Sequence, residues 1–149
     1  MKNRMKTFYT GRIYPALFLI LLISACSGKE EKLELFSTEA FTYSMEDGWE
    51  LNASCRVKGF TQKKSGEEYL AKLSYTADLL TPEGKKIESI SDGLIDQRSK
   101  EKFADLLIET QLQMDVSYKP GKYKIIFNVT DDFTEKKIRI EKEFELSKE

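Results

Sequence analysis

The sequence predicts an all-β chain, an antiparallel β-sandwich of about seven to eight strands occupying residues 33–149. Three observations predict it. Apolar side chains recur at every second position through most of that span, the mark of half-buried strands. Clusters of Pro, Gly, Asp and Ser interrupt these runs roughly every 8–15 residues, as turns in a sandwich do. No stretch of this span carries a sustained i, i+3, i+4 apolar pattern of helical length.

In chain order, Leu33, Leu35, Phe41, Tyr43 and Met45 suggest one or two edge strands. Trp49, Leu51, Ala53, Cys55 and Val57 alternate with Glu50, Asn52, Ser54, Arg56 and Lys58, which places Trp49 and Cys55 on the inward side of a strand. Gln62-Lys63-Lys64-Ser65-Gly66 reads as a polar turn. Tyr69, Ala71, Leu73, Tyr75, Ala77 and Leu79 form the next strand, expected to pair with the preceding one as a hairpin. Thr81-Pro82-Glu83-Gly84 is a turn, because Pro presets φ and Gly accepts positive φ. A short strand is expected around residues 87–90. Residues 99–112 admit two readings. Phe103, Leu106, Leu107 and Thr110 suit a helix capped by Ser99, whereas Leu106, Ile108, Thr110, Leu112 and Met114 alternate as in a strand. The expectation is a loop or one helical turn to about residue 103, then a strand through Met114. Tyr123, Ile125, Phe127 and Val129 form a further strand, Asp131-Asp132-Phe133-Thr134-Glu135 a turn, and Ile138, Ile140, Phe144 and Leu146 the last strand.

Residues 1–25 do not belong to this pattern. Lys2, Arg4, Lys6 and Arg12 precede the apolar run Ala16-Leu17-Phe18-Leu19-Ile20-Leu21-Leu22-Ile23, and Ser24-Ala25-Cys26 follows it. A basic segment, a short apolar segment and small residues describe an export signal; the run falls far short of the roughly 20 residues that span a bilayer. Ile23-Ser24-Ala25-Cys26 resembles the lipobox of bacterial lipoproteins. The resemblance implies that the signal is removed before Cys26, that Cys26 is lipidated, and that its acyl chains hold the protein on a membrane durably. Residues 26–32 then form a polar tether. Ser27, where inner-membrane retention in many Gram-negative lipoproteins calls for Asp, implies the outer membrane, on its periplasmic face or the cell surface. Lys29-Glu30-Glu31 looks like a short surface-export tag, though a plain solvated tether has the same composition.

The segment Tyr118-Lys119-Pro120-Gly121-Lys122-Tyr123-Lys124-Ile125 resembles the Pro-Gly-x-Tyr opening of a late strand in bacterial immunoglobulin-like domains. Val129-Thr130-Asp131, a turn and Phe144-Glu145-Leu146 continue the likeness, which covers roughly residues 105–147. It implies an immunoglobulin-like sandwich in which Tyr123 packs at a corner between sheets with its hydroxyl bonded to nearby backbone.

The overall net charge of −1 conceals an acidic domain. Without the four cations of the leader, 20 basic residues face 25 acidic ones, a net charge of −5. That balance lacks the footprint of a nucleic-acid binder. Lipidation of Cys26 leaves Cys55 without a partner in the chain, so Cys55 is expected as a small buried hydrophobe. With no histidine in the chain, the commonest general base, the commonest zinc ligand and every Ser-His or Cys-His dyad are missing. A single remaining cysteine excludes an intrachain thiolate metal site, and no glycine-rich phosphate loop is present. No cofactor is expected.

Carboxylate-pair hydrolysis is the remaining simple chemistry, with Asp47, Asp92, Asp96, Asp131 and Asp132 as its candidates. All five read first as turn residues. Asp131, Asp132 and Glu135 offer hard oxygens to a cation, but without the dense Asp/Asn/Gly spacing of a calcium loop. Asn52-Ala53-Ser54 and Asn128-Val129-Thr130 match glycosylation sequons but fall inside strands. The candidate binding aromatics are Phe60, Tyr118 and Phe133, at strand ends or turns. Three functions follow: a non-enzymatic envelope lipoprotein whose sandwich binds another envelope protein, a carbohydrate-binding module, or, least favoured, a carboxylate hydrolase.

Overall fold

A computed structural model describes residues 31–147; the leader, Cys26 and the start of the tether lie outside them. The chain is all-β. Eight strands run in order: β1 (Glu34–Met45), β2 (Gly48–Lys58), β3 (Gln62–Ser65), β4 (Glu68–Leu80), β5 (Lys86–Ser99), β6 (Leu106–Asp115), β7 (Gly121–Asp131) and β8 (Lys136–Leu146). They form two antiparallel sheets. Sheet A has the order β1-β2-β6. In sheet B, β4 pairs with β5 along one side and with β3 and β7 along the other, and β7 pairs with β8. The orders β1-β2-β6 and β4-β7-β8 correspond to the A-B-E and C-F-G orders of immunoglobulin-like sandwiches, with β5 joined to the free side of β4 instead of to β6.

Alternation builds the core. Leu51, Cys55 and Val57 of β2 and Leu73, Ala77 and Leu79 of β4 are fully buried, with Ile125 and Phe127 of β7 beside them. Trp49 is buried, and its indole Nε1 donates to the Ser147 carbonyl at 2.9 Å, fastening the end of β8 to the start of β2. Tyr123 stacks on Phe144 with ring centroids 5.7 Å apart, and its hydroxyl donates to the Lys119 carbonyl at 2.8 Å, forming the corner that the Pro-Gly-x-Tyr likeness implies. Residues 99–112 resolve as a loop leading into β6, with Leu106, Ile108, Thr110 and Met114 buried.

Two expectations need correction, and the edge strand expected at residues 33–45 carries an irregularity. β2 and β4 are not a hairpin: they lie in different sheets and face each other across the core, and β4 pairs instead with β3, which occupies the segment read as a turn. Period-2 alternation reports a half-buried strand but not its partner. The strand expected at residues 87–90 extends to Ser99, because an edge strand needs no apolar alternation along its full length. In β1 the register slips between Phe36 and Glu39, with Ser37 at φ 47°. That bulge reverses the facing of everything after it. Leu33 and Leu35 are buried, whereas Phe41, Tyr43 and Met45, on the same odd positions, point to solvent.

Candidate binding face

The reversal in β1 creates the most unusual surface of the domain, the outer face of sheet A. Cross-strand partners share a face, so registration places Phe41 beside Asn52 and Gln111, Tyr43 beside Glu50 and Gln113, and Glu39 beside Ser54 and Glu109. Phe41 is 56% exposed and Tyr43 59%, with Met45 and Leu107 exposed on the same face. A shallow groove of about 470 Å³ runs beside Phe41, lined by Asn52, Ser54, Glu109 and Gln111. The Asn52 amide donates to Glu50 at 2.8 Å and, together with Gln111, holds the Glu50 carboxyl below its ordinary range, so Glu50 is an anion at neutral pH. Arg56 and Lys58 are the basic residues of the three strands, and each is already paired: Arg56 Nε donates to Asp105 at 2.8 Å, and Lys58 lies 3.3 Å from Glu34. Among the described residues, Glu39, Glu50 and Glu109 have no cationic partner.

The outer face of sheet B differs. There Lys72 pairs with Asp96, Lys122 with Glu143 and Lys124 with Glu141, while Arg139 also reaches Glu141. Such an ion-paired surface is well suited to water.

The residues singled out from sequence are scattered. Phe60 is buried in the core. Phe133 is half-buried in the β7–β8 turn, with the Lys63 ammonium 4.3 Å from its ring centre. Tyr118 is half-buried in the β6–β7 connection, its ring 6.4 Å from Tyr123. Phe133 and Tyr118 therefore sit at opposite ends of β7, about 30 Å apart along the strand. Asp47 is exposed in the β1–β2 turn, and Asp92 and Asp96 are exposed on β5.

Asp131 is 1% exposed and braces two loops: Oδ2 accepts the Thr61 N–H at 2.7 Å and Oδ1 the Phe133 N–H at 2.9 Å. Both oxygens are thus engaged by backbone. Asp132 accepts the Ser74 hydroxyl at 2.7 Å. Among the described residues no group of three acidic or cysteine side chains is arranged to hold a metal ion. Cys55 is fully buried, and burial pushes its thiol up to about 12. The lipidation site Cys26 lies outside the described residues.

Sequence reasoning missed Phe41, Tyr43, Glu39 and Glu50 as a group. One signal was present: from Leu33 to Cys55 the chain carries five acidic residues (Glu34, Glu39, Glu46, Asp47, Glu50) and no lysine or arginine.

Fold and surface together define an all-β sandwich domain with one ion-paired outer face and one apolar, acidic outer face. No protein-family model matches the chain, and no curated protein matches it. Among solved structures, it is similar to a protein from Archaeoglobus fulgidus known from its crystal structure, at 14% identity and a TM-score of 0.36, over 78% of this chain and 98% of that one.

Proposed function

We propose that the protein is a lipid-anchored envelope lipoprotein whose sandwich is a non-enzymatic module for binding another envelope protein. The observation that carries the binding role is the exposed apolar row Phe41, Tyr43 and Met45 on the outer face of sheet A. Aromatic side chains and Met are enriched in protein interfaces and are expensive to leave in water. The lipobox at residues 23–26 supports the anchor. Geometry supports the combination. The chain from Cys26 to Leu33 spans at most about 25 Å and joins the sandwich beside Gly59, at the start of β1. Tyr43 lies about 30 Å further along that strand. The apolar row thus lies at the far end of β1 from the tether.

Two measurements test this reading. Globomycin, or Cys26→Ala, should block maturation and move the protein out of the detergent phase on Triton X-114 partition; unchanged processing and partition would contradict the anchor. Chemical crosslinking in intact cells followed by mild detergent extraction should recover one defined envelope partner, and recovering none defeats the binding role. A second reading, a glycan-binding face, is favoured by the placement of Phe41 and Tyr43 beside the amides of Asn52, Gln111 and Gln113. Aromatic faces with flanking amides can receive sugar rings, and oligosaccharide-dependent quenching of fluorescence would reveal it.

A further inference from the structure

The same face carries a smaller-scale contact that shows what it is suited to hold. Near the start of β1, the Lys58 ammonium lies 5.0 Å from the Phe36 ring centre and 3.3 Å from the Glu34 carboxylate. One cation is received by an aromatic ring and a carboxylate on the same strand, a pairing in which the ring quadrupole and the anion act together. Further along β1 the combination recurs without a cation. Phe41 stands next to the Glu39–Ser54–Glu109 row, and Tyr43 stands directly across from Glu50. Both rings are more than half exposed, and among the described residues none of the three carboxylates has an ion pair.

Resting on the binding-module reading, we propose that the outer face of sheet A docks a basic segment of a partner protein, its Lys or Arg side chains lying between the Phe41 and Tyr43 rings and the carboxylates of Glu39, Glu50 and Glu109. Charge complementarity argues for this occupant. Of the charged residues in the three strands, Glu34, Glu39, Glu50, Glu109 and Asp115 are acidic against Arg56 and Lys58, and both cations are already taken. An acidic partner would be repelled from this face, and a neutral apolar one would desolvate three carboxylates without compensation. Guanidinium and ammonium groups meet both needs of the face, since their stems lie along apolar surface and their heads reach the anions.

The test uses the lipidated chain purified from membranes in mild detergent, with a fluorescent synthetic peptide of alternating Lys and Leu as the probe. Binding should weaken about tenfold in Glu50→Lys/Glu109→Lys and in Phe41→Ser/Tyr43→Ser, and fall as salt rises. Asp92→Lys/Asp96→Lys, on the outer face of sheet B, should bind as the parent does, and circular dichroism checks that each variant is folded. A peptide that binds every variant equally overturns the proposal. In cells, a photo-crosslinking residue at position 43 should capture a partner through a Lys/Arg-rich segment, whereas one at the 81% exposed Leu94 of sheet B should not. Capture at position 43 of a glycan, or of a segment without basic residues, overturns the basic partner and leaves the anchored module standing. No capture from positions 41, 43 and 94 alike removes the binding module itself.

Discussion

Replacing Asp131 with asparagine tests whether one buried carboxylate holds the β2–β3 loop against the β7–β8 turn. In the parent, two backbone N–H groups end on its two oxygens, Thr61 at 2.7 Å and Phe133 at 2.9 Å. A hydrogen bond to a charged group contributes about 1.5–3 kcal/mol and a neutral one about 1. Asparagine keeps one acceptor at neutral strength and turns an NH₂ toward the other N–H. One bond is lost and the other is weakened, a cost of about 3 kcal/mol. For a domain of this size that lowers Tm by about 10 °C. Urea unfolding followed by the fluorescence of Trp49, the single tryptophan, reads the change directly.

The pH dependence adds a second arm. Burial alone pushes the Asp131 carboxyl up, but the Thr61 N–H and hydroxyl, the Phe133 N–H and the Thr134 hydroxyl outweigh it and hold the group below its ordinary 3.8. A folded value below the unfolded one means the stabilisation is complete above the unfolded value and is lost as pH falls through the folded value. The gap between parent and Asp131→Asn should therefore stay constant from about pH 7 to about pH 5 and narrow below about pH 4. A gap under about 1 kcal/mol at neutral pH, or one that widens in acid, refutes the reasoning.

Other substitutions probe the core and its turns. Thr110 Oγ1 is buried and, among the described residues, has no hydrogen-bond partner, so Thr110→Val should stabilise by about 1 kcal/mol in the same urea assay. Gly48 has φ +145°, and a methyl group there would overlap the Met114 carbonyl across the β2–β6 pairing; Gly48→Ala should cost about 2–3 kcal/mol. Tyr123→Phe removes the bond to the Lys119 carbonyl and should cost about 1 kcal/mol, with the ring stacking on Phe144 retained. The Cys55 thiol, at about 12 and fully buried, should resist iodoacetamide in the native protein and react at the rate of unfolding.

How much of this was legible in the sequence depended on which physical property each residue reports. Alternation in β2, β4, β7 and β8 revealed their inward faces, because burial on one side imposes period 2. It was silent about pairing, so β2 and β4 were expected to be neighbours in one sheet rather than opposite one another. The β1 bulge was hidden for a related reason. Leu33, Leu35, Phe41, Tyr43 and Met45 keep one parity, and only the backbone at Ser37 shows that the parity changes meaning midway. The exposed apolar face of sheet A was hidden with it, since alternation marks its aromatics only as edge-strand residues. Phe60 shows the converse. A residue two positions past the end of β2 looks like loop, yet the chain folds back and buries it.

β5, the strand that extends beyond its expected length, slips register against β4 between Ala77, opposite Ser91, and Leu79, opposite Ile87, and this bulge bears on the exposed edge of sheet B. β8, one edge of sheet B, is flanked by β1, with the Thr42 hydroxyl bonded to the Glu145 carbonyl. β5, the other edge, runs for 14 residues with its backbone groups open on one side. A flat edge of that length is a template for adding strands from other chains. Here Ser89 is thrown to φ 50°, and the Asp78 carboxylate fixes it there by accepting the Ser89 N–H at 2.9 Å while Lys86 and Asn128 hold its other oxygen. The edge is broken into two shorter, offset pieces, the longer of them carrying Asp92, Asp96 and Arg98. Asp78, itself only 4% exposed, thus shapes from beneath an edge that it does not present to solvent.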